Sequence, residues 1–259
     1  MATVNPPLKP RVGLFVTCLV DAVRPNIGFA SIKLLEAAGC VVEVPSRQTC
    51  CGQPGYNSGA DDLTVSLARQ VIDTFLPYDY LVAPSGSCVG MIKEHYPSLF
   101  RRDPVWAERQ RRLAGKSFEL LSFLHDVMRF EPENVRYPGT ACYHDSCAGL
   151  RELGVKQQPR RLLERVEGLT MTRRVGQVAF CGFVVSFCVK YPEISTAIVT
   201  DKAKQIEATN ADTLLGGDLG CLMNMAGRLS RLGSSVKTFH AAEVLADMAD
   251  EPLIPPAPS

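Results

Sequence analysis

Short apolar runs alternate with longer amphipathic ones along the first half of this chain. "RVGLFVT" (11–17) is apolar enough for a buried strand, and "GFASIKLLEAAG" (28–39) has helical periodicity with Gly39 as its stop. "VVEV" (41–44) predicts the next strand. "DDLTVSLARQVIDTFLP" then opens on acids and spaces Leu63, Leu67 and Val71 four apart, predicting a helix face that ends at Pro77. "YDYLVAP" (78–84) predicts another strand. Strand–helix–strand alternation of this kind implies parallel α/β layering.

The second half repeats the order. "TACYH" (140–144), "GQVAF" (176–180) and "ADTLLGG" (211–217) predict strands, while "QPRRLLERV" (158–166) and "PEISTAIVTDKAKQIEA" (192–208) predict helices. Between the halves, roughly 100–138, a helix is expected around "SFELLSFLHDVM", followed by the polar "FEPENVRYPG". The predicted fold is α/β, with two pseudo-twofold-related parallel-sheet lobes, 1–131 and 132–259.

Composition narrows the class. In 259 residues, 46% hydrophobic and 21% charged with net charge +1, nothing suggests a nucleic-acid partner. No apolar run reaches the length of a transmembrane segment and the N-terminus lacks a signal core, so a cytoplasmic protein is expected. No G-x-G-x-x-G follows a strand, so no nucleotide or flavin site of that type is indicated.

The ten cysteines change the picture. In a reducing compartment, metal ligation or redox chemistry is expected of several of them. Cys40 and Cys142, in apolar runs, are expected to be small buried hydrophobes. The others repeat: Cys18, the Cys50–Cys51 pair and Cys88 in the first half correspond to Cys147, Cys181 and Cys221 in the second. Asp79, Leu81 and Cys88 recur 133 positions later as Asp212, Leu214 and Cys221. Each of these cysteines comes at or just after a predicted strand, where an open parallel sheet gathers its ligands. Thiolates so gathered select iron–sulfur clusters or zinc. Zinc usually takes cysteine pairs spaced by two to four residues, and the repeated cysteines offer none. Adjacent Cys50 and Cys51 suit a polynuclear cofactor, and Gly52, Gly55, Gly86 and Gly90 would let backbone approach it.

The segments "CCGQPGYNSG", "PSGSCVGMIKEHYP", "YHDSCAGLRELGVKQQPRRLL", "FCVKYPEIS" and "DLGCLMNMAGRLSR" resemble the CCG, or cysteine-rich, domain family. That family includes the cysteine-rich subunits of heterodisulfide reductases and the iron–sulfur subunits of glycolate oxidases, and the likeness is strongest to its lactate-utilisation branch. The resemblance covers nearly the whole chain and implies tandem CCG domains. It implies an iron–sulfur oxidoreductase subunit of an L-lactate-oxidising complex, acting on lactate or a related 2-hydroxy acid. Two partner subunits are implied, at least one a ferredoxin-like iron–sulfur protein. In the heterodisulfide reductase relatives such motifs hold non-cubane [4Fe–4S] clusters through five cysteines ending in CxxC.

This chain departs from that pattern twice. Ser85 and Asp218 stand where the first cysteine of each CxxC would be, leaving Cys18, Cys50, Cys51 and Cys88 for a [4Fe–4S] cluster, with zinc as the alternative. Phe180 stands where the family has a second adjacent cysteine, and Val184 and Val185 replace glycines. The second site, Cys147, Cys181 and Cys221, is therefore expected to be degenerate, weakly metallated or empty; Asp218 or Cys188 could substitute, but nothing in the spacing requires it. A metal-stabilised scaffold and a thiol–disulfide reductase are the rival readings of the function.

Three further residues are candidates for catalysis. His144 and Asp145 precede Cys147 and suit proton transfer or a substrate hydroxyl, unless His144 is a hydrogen-bonded structural residue. Arg151 suits a substrate carboxylate. The basic run 101–116 reads as a solvated helix or a docking face for an acidic partner, and His95, His125 and His240 read as structural.

Overall fold

The computed structural model of the protein describes residues 9–172, 180–183 and 187–255. They divide between two compact units, Met1–Phe130 and Glu131–Ser259. Each unit contains one four-stranded, wholly parallel sheet.

In the first unit the strands are β1 (Arg11–Leu14), β2 (Val41–Glu43), β3 (Tyr80–Ala83) and β4 (Ser117–Glu119), ordered β2-β1-β3-β4. In the second they are β5 (Arg136–His144), β6 (Glu167–Met171), β7 (Thr213–Gly216) and β8 (Lys237–His240), ordered β6-β5-β7-β8. The two orders are the same. The larger helices are α1 (Pro25–Ala37), α2 (Asp61–Phe75), α3 (Pro104–Ala114), α4 (Pro192–Glu207) and α5 (Leu219–Arg231).

The repeated aspartate has a structural cause. Asp79 Oδ2 accepts from the Arg11 amide at 2.8 Å, tying the start of β3 to the start of β1. Asp212 Oδ2 does the same for β5 and β7, accepting from the Thr140 amide at 3.0 Å and the Thr140 hydroxyl at 2.7 Å. Each aspartate therefore sets the register of the two central strands of its sheet, Val12 against Tyr80 and Ala141 against Thr213.

Several expectations are corrected. Leu63 is 58% exposed; the buried face of α2 is Thr64, Ala68, Val71, Ile72 and Phe75, so the apolar stripe is turned from the one that Leu63 suggested. The segment expected to be a helix around 117–128 begins as β4, because Ser117–Glu119 pairs in register with Leu81–Ala83; the helical turns start only at Leu120. The strand beside β5 is Glu167–Met171, a mostly exposed edge strand whose weak apolar pattern conceals it. Of the strand expected at 176–180, residues 176–179 lie outside the described residues, and Phe180 is not in a strand.

In both sheets the strand order changes direction between the two central strands. Loops leaving β1 and β3, or β5 and β7, diverge there and open a crevice at the carboxyl ends. That geometry places the cysteines.

Candidate metal centres

In the first unit, three loops deliver four thiols. Cys18 begins a short helical turn just after β1, Cys50 and Cys51 lie in the loop after β2, and Cys88 sits in the turn Gly86–Gly90 after β3. Thr17, directly before Cys18, has φ 74 and ψ 146. A β-branched residue pays about 1–3 kcal/mol for such a backbone, a strain tolerated where it aims a neighbouring group. Gly52 has φ 86, which turns the chain so that its amide donates to Cys50 Sγ at 3.4 Å. The buried Tyr96 hydroxyl donates to the Cys51 carbonyl at 2.8 Å. Gln48 pins the same loop to the end of β1 by accepting from the Val16 amide at 2.9 Å. Ser85, in the place of the missing CxxC cysteine, accepts from the Cys88 amide at 3.3 Å.

The four sulfurs form a string. Cys18 and Cys50 Sγ are 3.7 Å apart, close to the roughly 3.8 Å between two thiolates on one tetrahedral metal. Cys50 in turn interacts with Cys51, and Cys51 with Cys88. Hydrogen bonds from Cys18 and Cys51, helped by the Gly52 amide, pull the Cys50 thiol down to about 3. The protons stay on its neighbours, so Cys18 and Cys51 are pushed up. This arrangement favours the thiolate at Cys50 and, with a metal's charge added, can supply four. A string of soft donors from three loops fits a polynuclear iron–sulfur group. The donors in question are Cys18, Cys50, Cys51 and Cys88. Gly55, expected to admit a cofactor, instead serves packing: a Cβ there would collide with the Thr64 hydroxyl of α2.

The second unit is arranged differently. Cys181 and Cys221 Sγ are 3.0 Å apart. Among the described residues, the one group of three or more potential metal-binding side chains with all ligand atoms within 4.8 Å of one another is His144, Cys181 and Cys221. The thiol of Cys221, with the adjacent His144 imidazole, draws Cys181 down to about 5, while Cys221 keeps its proton and is pushed up. Cys147, at the start of the turn Cys147–Arg151, lies near enough to feel the charge of Cys181. Burial pushes its thiol up.

Phe180, in the place of the absent cysteine, packs edge-on against Phe187 at 6.3 Å. The Phe183 ring rests on Gly220, where a Cβ would overlap it. Val184 and Val185 lie outside the described residues. These aromatic rings and the close convergence of three ligand atoms leave a donor set that does not fit a multi-iron group.

His144 and Asp145 do not form a dyad. His144 is 2% exposed and its ring faces the Cys181 sulfur, not Asp145. Asp145 is clamped bidentately by Arg160, at 2.9 and 2.8 Å. Arg151 is exposed and adds positive charge near Cys147. Cys40 and Cys142 are buried, and burial pushes both thiols up. Sequence reasoning missed Thr17, Gln48, Tyr96 and the buried Lys202; Tyr96 lies in the family-like segment 84–97 but nothing there marks its role, and only the folded loops bring the four to the sulfurs. It named Asp218 as a substitute ligand, and that residue occupies the N-cap position of α5. Cys188, the other named substitute, lies on the turn Phe187–Lys190.

A repeated parallel α/β lobe with thiols gathered in loops beyond the carboxyl ends of its strands defines a cysteine-rich class of protein whose sulfurs could bind metal. The profile of the "CCG: Cysteine-rich domain" matches residues 12–93 and 141–226, one match in each unit, and the chain belongs to that family. It is 47% identical to lactate utilization protein A of Geobacillus thermodenitrificans over 91% of this chain and 98% of the relative. It is 45% identical to lactate utilization protein A of Bacillus subtilis, with the same coverage. A hypothetical protein from Helicobacter pylori shares the fold, with a TM-score of 0.61 at 10% identity over 97% of this chain and 52% of that one. No helix among the described residues is long and apolar enough to cross a membrane.

Proposed function

We propose that this chain is the iron–sulfur subunit of a complex that oxidises L-lactate to pyruvate, and that its first unit carries the cluster. The observation that supports this most is the string of four thiols at the switch point of the first sheet, in a chain closely similar to lactate utilization protein A. Cys18, Cys50, Cys51 and Cys88 would hold a [4Fe–4S] group, which supplies one-electron storage when bound. The chain's own contribution is to prepare the donors. The Gly52 amide and the neighbouring thiols hold Cys50 as a thiolate, Thr17 and Gln48 fix the loop after β1, and Tyr96 fixes the cysteine pair. Lactate oxidation releases two electrons and two protons. With no organic redox cofactor indicated in the sequence, the electrons pass onward to two partner proteins, one of them ferredoxin-like.

The test is anaerobic purification, followed by iron and sulfide determination, EPR, and lactate-dependent dye reduction with and without the partner proteins. About four irons per chain, one cluster, is expected, with lactate-dependent reduction when the partners are present. Zinc without iron would overturn the redox reading. A second reading, a metal-stabilised scaffold for a catalytic partner, is favoured by the compact His144–Cys181–Cys221 group. Cluster without any lactate-dependent turnover in the assembled complex would select it.

A further inference from the structure

The geometry points to a second, different metal centre: a single divalent ion of the zinc class held by His144, Cys181 and Cys221 in the second unit. It is independent of what the first unit carries.

Three observations converge on it. The first is size. The imidazole and the two sulfurs lie within 4.8 Å of one another, the span of ligands around one tetrahedral ion, where metal–nitrogen and metal–sulfur bonds are about 2.0–2.3 Å. The Cys181–Cys221 separation, 3.0 Å, is shorter than the roughly 3.8 Å of two thiolates on such an ion, so the pair need only open slightly.

The second is His144 itself. It ends β5, it is 2% exposed, and neither ring nitrogen pairs with a nitrogen or oxygen; the ring's recorded partner is the Cys181 sulfur. A buried imidazole normally pairs at least one nitrogen. Here the ring's polar neighbour is the Cys181 sulfur, in a group it shares with Cys221, the surroundings of a soft-metal ligand.

The third is the scaffold around the sulfurs. Asn224 Nδ2 donates to the Cys181 carbonyl at 2.8 Å, and the Ser195 hydroxyl donates to the Gly182 carbonyl at 2.8 Å, so α4 and α5 both hold the cysteine loop. The Phe183 ring covers Gly220, the residue before Cys221. Lys202, on α4, is 4% exposed and lies within electrostatic reach of Cys181 and Cys147. Two thiolates and one imidazole neutralise a divalent ion. Cys147 lies outside the 4.8 Å group but within electrostatic reach of Cys181; if it moved in as a fourth ligand, the Lys202 ammonium would offset the extra negative charge. Imidazole with soft thiolates is a donor set that suits zinc. His144 thus makes good the ligand that Phe180 removes, but for one ion rather than a cluster.

Cobalt(II) is the probe. The full-length chain carrying Cys50→Ser and Cys51→Ser, so that the first unit cannot contribute, is reduced, stripped and titrated anaerobically. Expected are one cobalt per chain, sulfur-to-cobalt charge-transfer absorption and tetrahedral ligand-field bands, with displacement by zinc. Cys181→Ser should abolish these bands. His144→Ala should weaken binding by at least about 10–100-fold, the loss seen even when a group merely supporting a ligand is removed. His144→Cys should keep one cobalt and shift the bands toward an all-thiolate spectrum, and circular dichroism reports whether each variant folds. The inference is overturned by any of three results: no stoichiometric cobalt in the folded double variant, binding indifferent to His144→Ala, or a Cys181–Cys221 disulfide in metal-free protein purified anaerobically.

Discussion

His144 and Asp145 are adjacent in the sequence and point to separate tasks. Asp145 is spent on Arg160 in a two-pronged ion pair whose side chains are only 16–17% exposed, with the guanidinium also lying 5.3 Å from the Tyr143 ring centre. Removing one partner of a largely buried pair leaves the other charge uncompensated. Asp145→Ala is therefore expected to lower stability by about 1–3 kcal/mol, read as a shifted urea midpoint. If the midpoint stayed put while lactate turnover collapsed, Asp145 would be a proton carrier and not a strut. "YHDSC" does not separate these roles, because a His–Asp doublet looks the same whether its side chains meet or diverge. Their divergence follows from the end of β5, where His144 is buried and Asp145 already belongs to the loop facing Arg160.

At the scale of elements, apolar periodicity located α1, α2, α4 and the four central strands, because a helix or strand buried on one side must repeat its apolar positions at its own period. It misjudged orientation and edges. Leu63, Leu67 and Val71 form a plausible stripe, yet the sheet is covered by Ala68, Val71, Ile72 and Phe75. Ile72→Ala is expected to cost about 2–5 kcal/mol, and Leu63→Gln to stay within about 0.5 kcal/mol, both by chemical unfolding. The reverse ranking would place the other face of α2 on the sheet. β4, β6 and β8 escaped because each lies at a sheet edge, so its conformation is decided by pairing with β3, β5 or β7 and not by its own residues.

For the molecule as a whole, two lobes with one strand order carry unlike sulfur arrangements. The first strings four thiols across three loops; the second draws an imidazole and two thiols together. The metal inventory should divide accordingly. Cys51→Ser is expected to strip the iron and leave the second unit's ion, whereas Cys181→Ser should do the opposite, both by elemental analysis of anaerobically purified protein. Loss of both metals from either single change would show one shared centre. The sequence by itself determined the duplicated α/β plan and the strand-end placement of the cysteines, since both reside in residue type and spacing, and the single cysteine at Cys181 where the first half has a pair. Only the tertiary structure decided what stands around each sulfur. Thr17 and Lys202 belong to no motif, nothing in the segment around Tyr96 marks its role, and His144 became a candidate ligand only when β5 delivered its buried ring to two cysteines from distant loops. Spacing along a chain sets which loops can meet, but burial and direction, which fix a side chain's chemistry, exist only once the layers have packed.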